Sequence, residues 1–326
     1  MNRTVFRNLI MTAWVLMAVA GCGGGGGSVA SGGTGGTGIS SGAVTGFGSV
    51  FVNGVEFSTT SSSVELDGVS GPDESTDPHR GLKVGMVVKV DGEFDDDDIH
   101  GTAAEIKYKD NLEGPVDSIT AIDTTTKQAV VLGQTVILDV NQTHFENTTF
   151  DTLAVGNVIE VSGLLDDAGQ IQATFVEKKA DSFIPGTEIE VKGTIKNLDN
   201  VAKTFQINAL TVDYASATEL PSGGPANDQY VEVKGTNYSG GTLTATKIEL
   251  DDDTLGAMDA GKVEMEGYIN VVTSQTQFTV GTQAVQTTGS TVFENGTASD
   301  IAMGRKVEVE GPLAGGVLTA TKVSFH

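Results

Sequence analysis

Cysteine occurs once in this chain of 326 residues, at Cys22, so no internal disulfide can form. Tryptophan also occurs once, as Trp14 near the N-terminus, which weakens a lectin-like reading. Basic residues are scarce: 19 Lys and Arg stand against 43 Asp and Glu, for a formal charge of −24. A surface of that sign repels phosphate backbones and anionic headgroups, which excludes nucleic acid as a natural partner. Histidine is limited to His79, His100, His144 and His326, with no spacing that places two on one strand face. That pattern argues against a histidine metal site or a catalytic triad. The longest apolar run, Leu9 to Ala20, is about twelve residues and too short to cross a bilayer. An apolar fraction of 38% with 43 glycines suits many short strands better than long helices.

That short run follows Arg3 and Arg7 and ends in Val19-Ala20-Gly21-Cys22, an export signal at residues 1–21. Its end resembles the lipobox of bacterial lipoproteins. The resemblance implies that Cys22 is acylated and becomes the first mature residue, anchoring the protein to a membrane and leaving no thiol for catalysis. Gly23 follows where an Asp would mark inner-membrane retention, so the resemblance implies the outer membrane, with its periplasmic or cell-surface side open. Loss of Arg3 and Arg7 with the signal takes the charge from −24 to −26.

Residues 22–42 are almost wholly Gly, Ser and Thr, which cannot bury enough surface to fold and read as a tether. Twenty such residues reach roughly 25 Å. Gly33-x-Gly35-x-x-Gly38 and Gly38-Ile39-Ser40-Ser41-Gly42 match a dinucleotide fingerprint and a nucleophile elbow. Neither has the strand and helix its chemistry requires, so both are products of low complexity.

Beyond the tether one β unit recurs four times, over 43–110, 111–186, 187–255 and 256–326. Each opens on a Gly-bearing strand, at Gly46, Gly114, Gly193 and Gly267, in steps of 68, 79 and 74 residues. A hairpin follows. Asn53-Gly54 is the strongest two-residue turn signal and pairs Val52 with Val55 and Val50 with Phe57. Turns at Gly133-Gln134, Asn208-Ala209 and Gly281-Thr282 repeat the arithmetic, setting Val130 and Leu132 against Ile137 and Thr135. Phe205 and Ile207 meet Val212 and Leu210; Phe278 and Val280 meet Val285 and Gln283.

Next comes Leu/Ile-x-x-Gly-x-x-Val-x-Val-x-Gly, as in Leu82, Gly85, Val88, Val90, Gly92. The third unit carries Asp228 where that first Gly belongs. The connections after Phe145 and Phe293 can each hold one helical turn. Leu243 and Ile248 are five apart, which predicts a β-bulge near Ala245-Thr246 if both point inward.

Strand, hairpin, connection, strand, strand predicts an all-β chain of four tandem, antiparallel, five-stranded OB-like barrels, with packed meanders as the alternative. Linkers of a few residues would stack the barrels as a rod of roughly 110 Å. Gly46-Phe47-Gly48-Ser49-Val50-Phe51-Val52-Asn53-Gly54, with recurring Val-x-Val-x-Gly and Leu-x-Ala-x-Lys-Ile, resembles bacterial lipoproteins with repeats of domain of unknown function 5666. That resemblance implies an exported β-rich repeat protein and carries no assigned activity.

The candidate ligand-bearing residues are few. Asp95, Asp96, Asp97 and Asp98 lie between the fourth and fifth strands of unit one, beside the usual OB ligand face, where a weakly held Ca²⁺ would relieve their repulsion. Measured against the EF-hand loop, the run offers His100 and Lys107 at ligand positions five and twelve, so it fits a solvated turn better. Phe94 and Tyr238 occupy equivalent loops and are candidates for stacking sugar rings. No cofactor is expected. The sequence points to a non-enzymatic, membrane-anchored binding or spacer module of the envelope, whose partners are the membrane and an envelope protein or polysaccharide. The alternative is a hydrolase of envelope polysaccharide or peptidoglycan working through carboxylates such as Glu93 and Asp95.

Overall fold

A computed structural model describes residues 37–251, 255–256 and 259–326; the signal, Cys22 and most of the tether lie outside the described residues. The first repeat contributes strands Thr37–Phe47, Val50–Val52, Val55–Ser58, Val87–Phe94 and His100–Tyr108. The first strand pairs antiparallel with the second and fourth, and the second with the third. The third runs parallel to the fifth, and the fifth pairs with the fourth, closing a five-stranded OB-like barrel. Closure satisfies both edges of a sheet whose strands are too short to stand alone.

The circuit recurs three times, opening on Leu112–Ala121, on Ile189–Thr194 with its continuation Lys196–Asp199, and on Ala260–Ser274. The connections diverge: the fourth repeat holds a 3-10 turn at Ala298–Asp300, whereas the matching stretch of the second holds only bends and turns.

Two glycine positions of the recurrent motif have clear physical causes. A Cβ on Gly92, Gly163, Gly235 or Gly311 would lie 2.3, 2.3, 2.4 or 2.0 Å from the carbonyl oxygen of Thr102, Gln172, Thr244 or Thr319. The fifth strand bulges opposite that glycine, at Thr246 in the third repeat. The bulge lets Leu243, Ala245 and Ile248 all face inward. The glycine before the fourth strand is left-handed, with φ of 93°, 91° and 78° at Gly85, Gly156 and Gly304. Asp228 holds the same place at φ 70°, a conformation Asp tolerates better than most side chains.

Hairpin registers match the sequence expectation in the first, third and fourth repeats. In the second, the turn falls on Leu132-Gly133, both with positive φ, so Val131 pairs with Gln134 and Ala129 with Val136. A type I′ turn wins over the expected II′, and the one-residue slip exchanges the faces. Ala129, Val131, Val136 and Leu138 therefore fill the core, and Ile137 turns outward.

The barrels do not stack in chain order, as a rod would require. Repeats one and four join through parallel pairing of 38–41 with 262–265. Repeats two and three join through Leu112 and Glu113 against Val191 and Glu190. Their cores also interpenetrate. Barrels two and three share one apolar cluster, Ile39 enters the core of barrel four, and Phe175 of the second repeat enters that of barrel one.

Candidate functional site

Where repeats one, two and three meet, one rung of the sheet carries Glu177, Glu160, Glu113 and Glu190 side by side, ending in Lys234. Like charges opposite one another destabilise a sheet unless cations reach them. Lys179 Nζ reaches Glu160 Oε2 at 2.9 Å and Glu177 Oε2 at 3.2 Å. Lys234 Nζ lies 2.5 Å from Glu190 Oε2. The Tyr108 hydroxyl donates to Glu160 Oε1 at 2.5 Å, tying the end of barrel one to barrel two.

Lys192 is the centre of the junction, its side chain 5% exposed. Its ammonium donates to the Asp110 carbonyl at 2.7 Å and to Asp110 Oδ1 at 2.9 Å. Glu190 Oε1 at 3.6 Å, Asp67 Oδ1 at 3.7 Å and Glu232 Oε1 at 4.0 Å complete its surroundings. Asp67 comes from the turn joining two further short strands of repeat one, Ser63–Leu66 and Val69–Ser70, Asp110 from the linker between repeats one and two, and Lys192 from repeat three. The linker is also strapped to barrel two, because the Gly163 amide donates to Asn111 Oδ1 at 2.7 Å.

Burial sets the protonation pattern. It pushes Asp67 up to about 6 against the opposing pull of Lys192, and pushes Asp110 well above the carboxylate range. Burial would also raise Glu190, but a hydrogen bond from Asp110 with the charges of Lys192 and Lys234 carries it down to about 2. Burial disfavours the Lys192 ammonium, yet Asp110, Glu190 and Asp67 together hold it charged. Glu113 is pushed up to about 7 by burial, with Lys179 opposing.

Asp67, Asp110 and Glu190 each place an oxygen within 4.8 Å of the others, a spacing a divalent cation can use. Here the Lys192 ammonium already lies among those oxygens, and a metal ion would have to displace it. The arrangement therefore works as a sealed ion-pair lock rather than as an open acid–base pair. None of its members was singled out from the sequence. Lys192 stands beside Gly193 of the opening strand, and nothing local to that strand reveals that a linker from another repeat buries it.

The residues that were singled out lie elsewhere. Asp97 accepts from the Ile99 and His100 amides and lies 2.6 Å from His100 Nδ1; these contacts hold its carboxyl below the usual range. Asp98 Oδ1 meets Lys262 Nζ of repeat four at 2.7 Å. Asp95 and Asp96 are exposed. Phe94 packs edge-on to Phe57, sits beneath the Lys262 ammonium at 4.4 Å, and covers Gly38, where a Cβ would be 2.3 Å away. Tyr238 donates to Asp117 Oδ2 at 2.8 Å, bridging repeats three and two. The structure thus separates Phe94 and Tyr238 into two different inter-repeat contacts. Cys22 lies outside the described residues.

A family model described as "Domain of unknown function (DUF5666)" matches residues 39–107, 113–177, 186–249 and 266–324. No curated protein matches the chain. Among solved structures, "drosophila Unr CSD456" is similar at 14% identity with a TM-score of 0.18, covering 66% of this chain and 96% of that one.

Proposed function

The chain belongs to the DUF5666 family, and we propose that it is a membrane-anchored, non-enzymatic binding or spacer module of the bacterial envelope. The carrying observation is that the strongly perturbed acids at the junction are spent on holding repeats together around Lys192. Perturbed acids in an open cleft would favour catalysis; the same acids around a buried lysine favour rigidity. Interpenetrating cores support the same reading, because a spacer must keep its domains in fixed register.

Anchoring is assigned to acylated Cys22, with the outer membrane as the address and the tether ending before Thr37, because residues 37–42 form the opening strand and not part of the tether as the composition suggested. Cys22→Ser should move the protein out of the membrane fraction and abolish incorporation of labelled fatty acid. A wild type that takes up no label overturns the anchor. Turnover of a peptidoglycan or polysaccharide panel, lost on Glu93→Gln or Asp95→Asn, would overturn the non-enzymatic assignment.

A further inference from the structure

A cleft of about 640 Å³ lies between the second and fourth barrels. Its first wall is the outer face of barrel two, with Thr126 and Ile137 from the second and third strands and Gln172 from the fifth. The opposite wall is the end of barrel four, with Tyr268, Arg305, Lys306 and His326. Clefts between domains are favoured ligand sites, and the face built on the second and third strands is the one OB barrels commonly use. Ile137 reaches this cleft only because of the register slip in its hairpin.

Arg305 is one of four described cations without a carboxylate partner, and unlike Arg80 and Lys127 it donates to no backbone carbonyl, while Lys203 lies over Tyr214 outside this cleft. In a chain with 43 acidic and 19 basic residues most cations sit on a carboxylate, as Lys306 does on Glu266 Oε1 at 2.6 Å. Among the described residues no carboxylate lies within ion-pair distance of Arg305. Its guanidinium instead lies over the Phe325 ring, 5.3 Å from the centroid. Asp300 feels its charge but is engaged with Thr297. A guanidinium resting over an aromatic ring with no carboxylate on it keeps its N–H groups available, and those groups can grip a planar oxyanion in bidentate fashion. The half-buried Tyr268 hydroxyl, also in the cleft, has no hydrogen-bond partner among the described residues. The carboxylates nearby are Asp139, which lines the cleft and accepts from the Asn141 amide, Glu266 neutralised by Lys306, Asp166 taken up by Gln172 and backbone amides, and Asp167 beside Gly304.

We propose that this cleft binds an acidic oligosaccharide. Arg305 takes the sugar carboxylate, Ile137 and the Tyr268 ring pack against the sugar faces, and Thr126 and the Tyr268 hydroxyl meet its hydroxyls. A carboxylate fits better than a phosphate, because Lys306 is committed to Glu266 and one unmatched guanidinium balances one negative charge. This deepens the binding-module reading and rests on it.

Titration calorimetry on the full-length protein in detergent, with a galactose trimer carrying a single galacturonate residue, the neutral galactose trimer and inorganic phosphate as probes, tests the assignment. The acidic trimer should bind at least about tenfold more tightly than the neutral trimer or phosphate, and Arg305→Lys should weaken it by about tenfold because an ammonium cannot pair bidentately. Equal binding of the two trimers overturns the assignment, and so does binding that survives Arg305→Met. Tighter binding of phosphate replaces the sugar acid with a phosphoryl ligand. The comparison of trimers on wild-type protein needs no variant, so a misfolded Arg305 substitution leaves the test intact. Loss of the ligand with Cys22-dependent anchoring retained removes this inference alone; loss of anchoring removes the module reading.

Discussion

Repeats three and four place a glutamate at the same point of their first strands, three residues before the motif glycine, and treat it in opposite ways. Glu190 precedes Gly193 and is held ionised, down to about 2, whereas Glu264 precedes Gly267 and is pushed up to about 7 by burial. Both are buried, and both sit on the strand that joins two barrels. The difference lies two residues on, where repeat three has Lys192 and repeat four has Glu266. Glu190 gains Lys192 and Lys234; Glu264 has Lys262 at 3.1 Å, which it shares with Asp98, while Glu308 and Glu310 stand opposite on the next strand. Glu264 Oε2 is left with no hydrogen-bond partner. One charge reversal in a conserved-looking register thus separates a finished electrostatic junction from a strained one.

The comparison breaks most sharply at Lys192. Lys192→Met should cost about 3–5 kcal/mol, because Glu190 and its neighbours would remain buried without their shared cation. In thermal melts that loss amounts to a drop of roughly 5–10 °C for a body of this size. A change of only a degree or two would mean that the junction is already hydrated and that the lock assignment is wrong.

Acid should act on the raised and the depressed carboxyls in opposite directions. The raised groups Asp67, Glu113 and Glu264 bind protons more tightly folded than unfolded, so the stability they lend is lost as pH rises through about 6 to 7. Glu190 is depressed, so its contribution is present above the ordinary glutamate value and is lost as pH falls toward 2. Stability should therefore peak near pH 4.5 and decline by about 2–4 kcal/mol toward pH 8, after discounting for solvent at the less buried groups. A melting temperature that climbs steadily from pH 5 to pH 8 would reverse the predicted sign.

Glu264→Gln isolates the fourth repeat. It should stabilise by about 1–2 kcal/mol at pH 8, where the wild-type carboxyl is forced toward its charged form, and change little at pH 5. Glu266→Lys is a poorer test, since it would strip Lys306 of its partner. An equal effect of Glu264→Gln at both pH values would point to packing and away from charge.

Within each barrel the fold was legible because its determinants are local. Asn53-Gly54 sets a register through backbone φ alone, and the spacing of Leu243 and Ile248 encodes a bulge. The slip at Leu132-Gly133 was not legible, because two glycine-containing turns one residue apart differ only in what packs above them: Leu132 fills the space over Gly114, where a Cβ would lie 2.5 Å from it. The junction was harder still. Asp67, Asp110 and Lys192 come from a turn, a linker and a strand of different repeats, and no periodicity within a repeat reports which barrel lies beside which. The expected rod failed for the same reason, since strand pairing between repeats one and four is a long-range choice.

The smallest effect is expected at the acidic turn that stood out most in the sequence. Four adjacent carboxylates at Asp95 to Asp98 suggest a Ca²⁺ site, and a 1 mM site in 10 mM Ca²⁺ would add ~1.4 kcal/mol. Two of the four are already committed, Asp97 to His100 and two amides and Asp98 to Lys262. Capturing the ion with all four would mean breaking the contact between repeats one and four, offsetting part of the gain. The remaining pair, Asp95 and Asp96, supplies too few ligands for an ion that takes six to eight oxygens. Melting in CaCl₂ should accordingly exceed melting in choline chloride of equal ionic strength by about 1 °C or less. A gain of about 2–4 °C that disappears when Asp95 and Asp96 become Asn would make this turn a genuine ion site. It would also make the contact between the first and fourth repeats responsive to calcium.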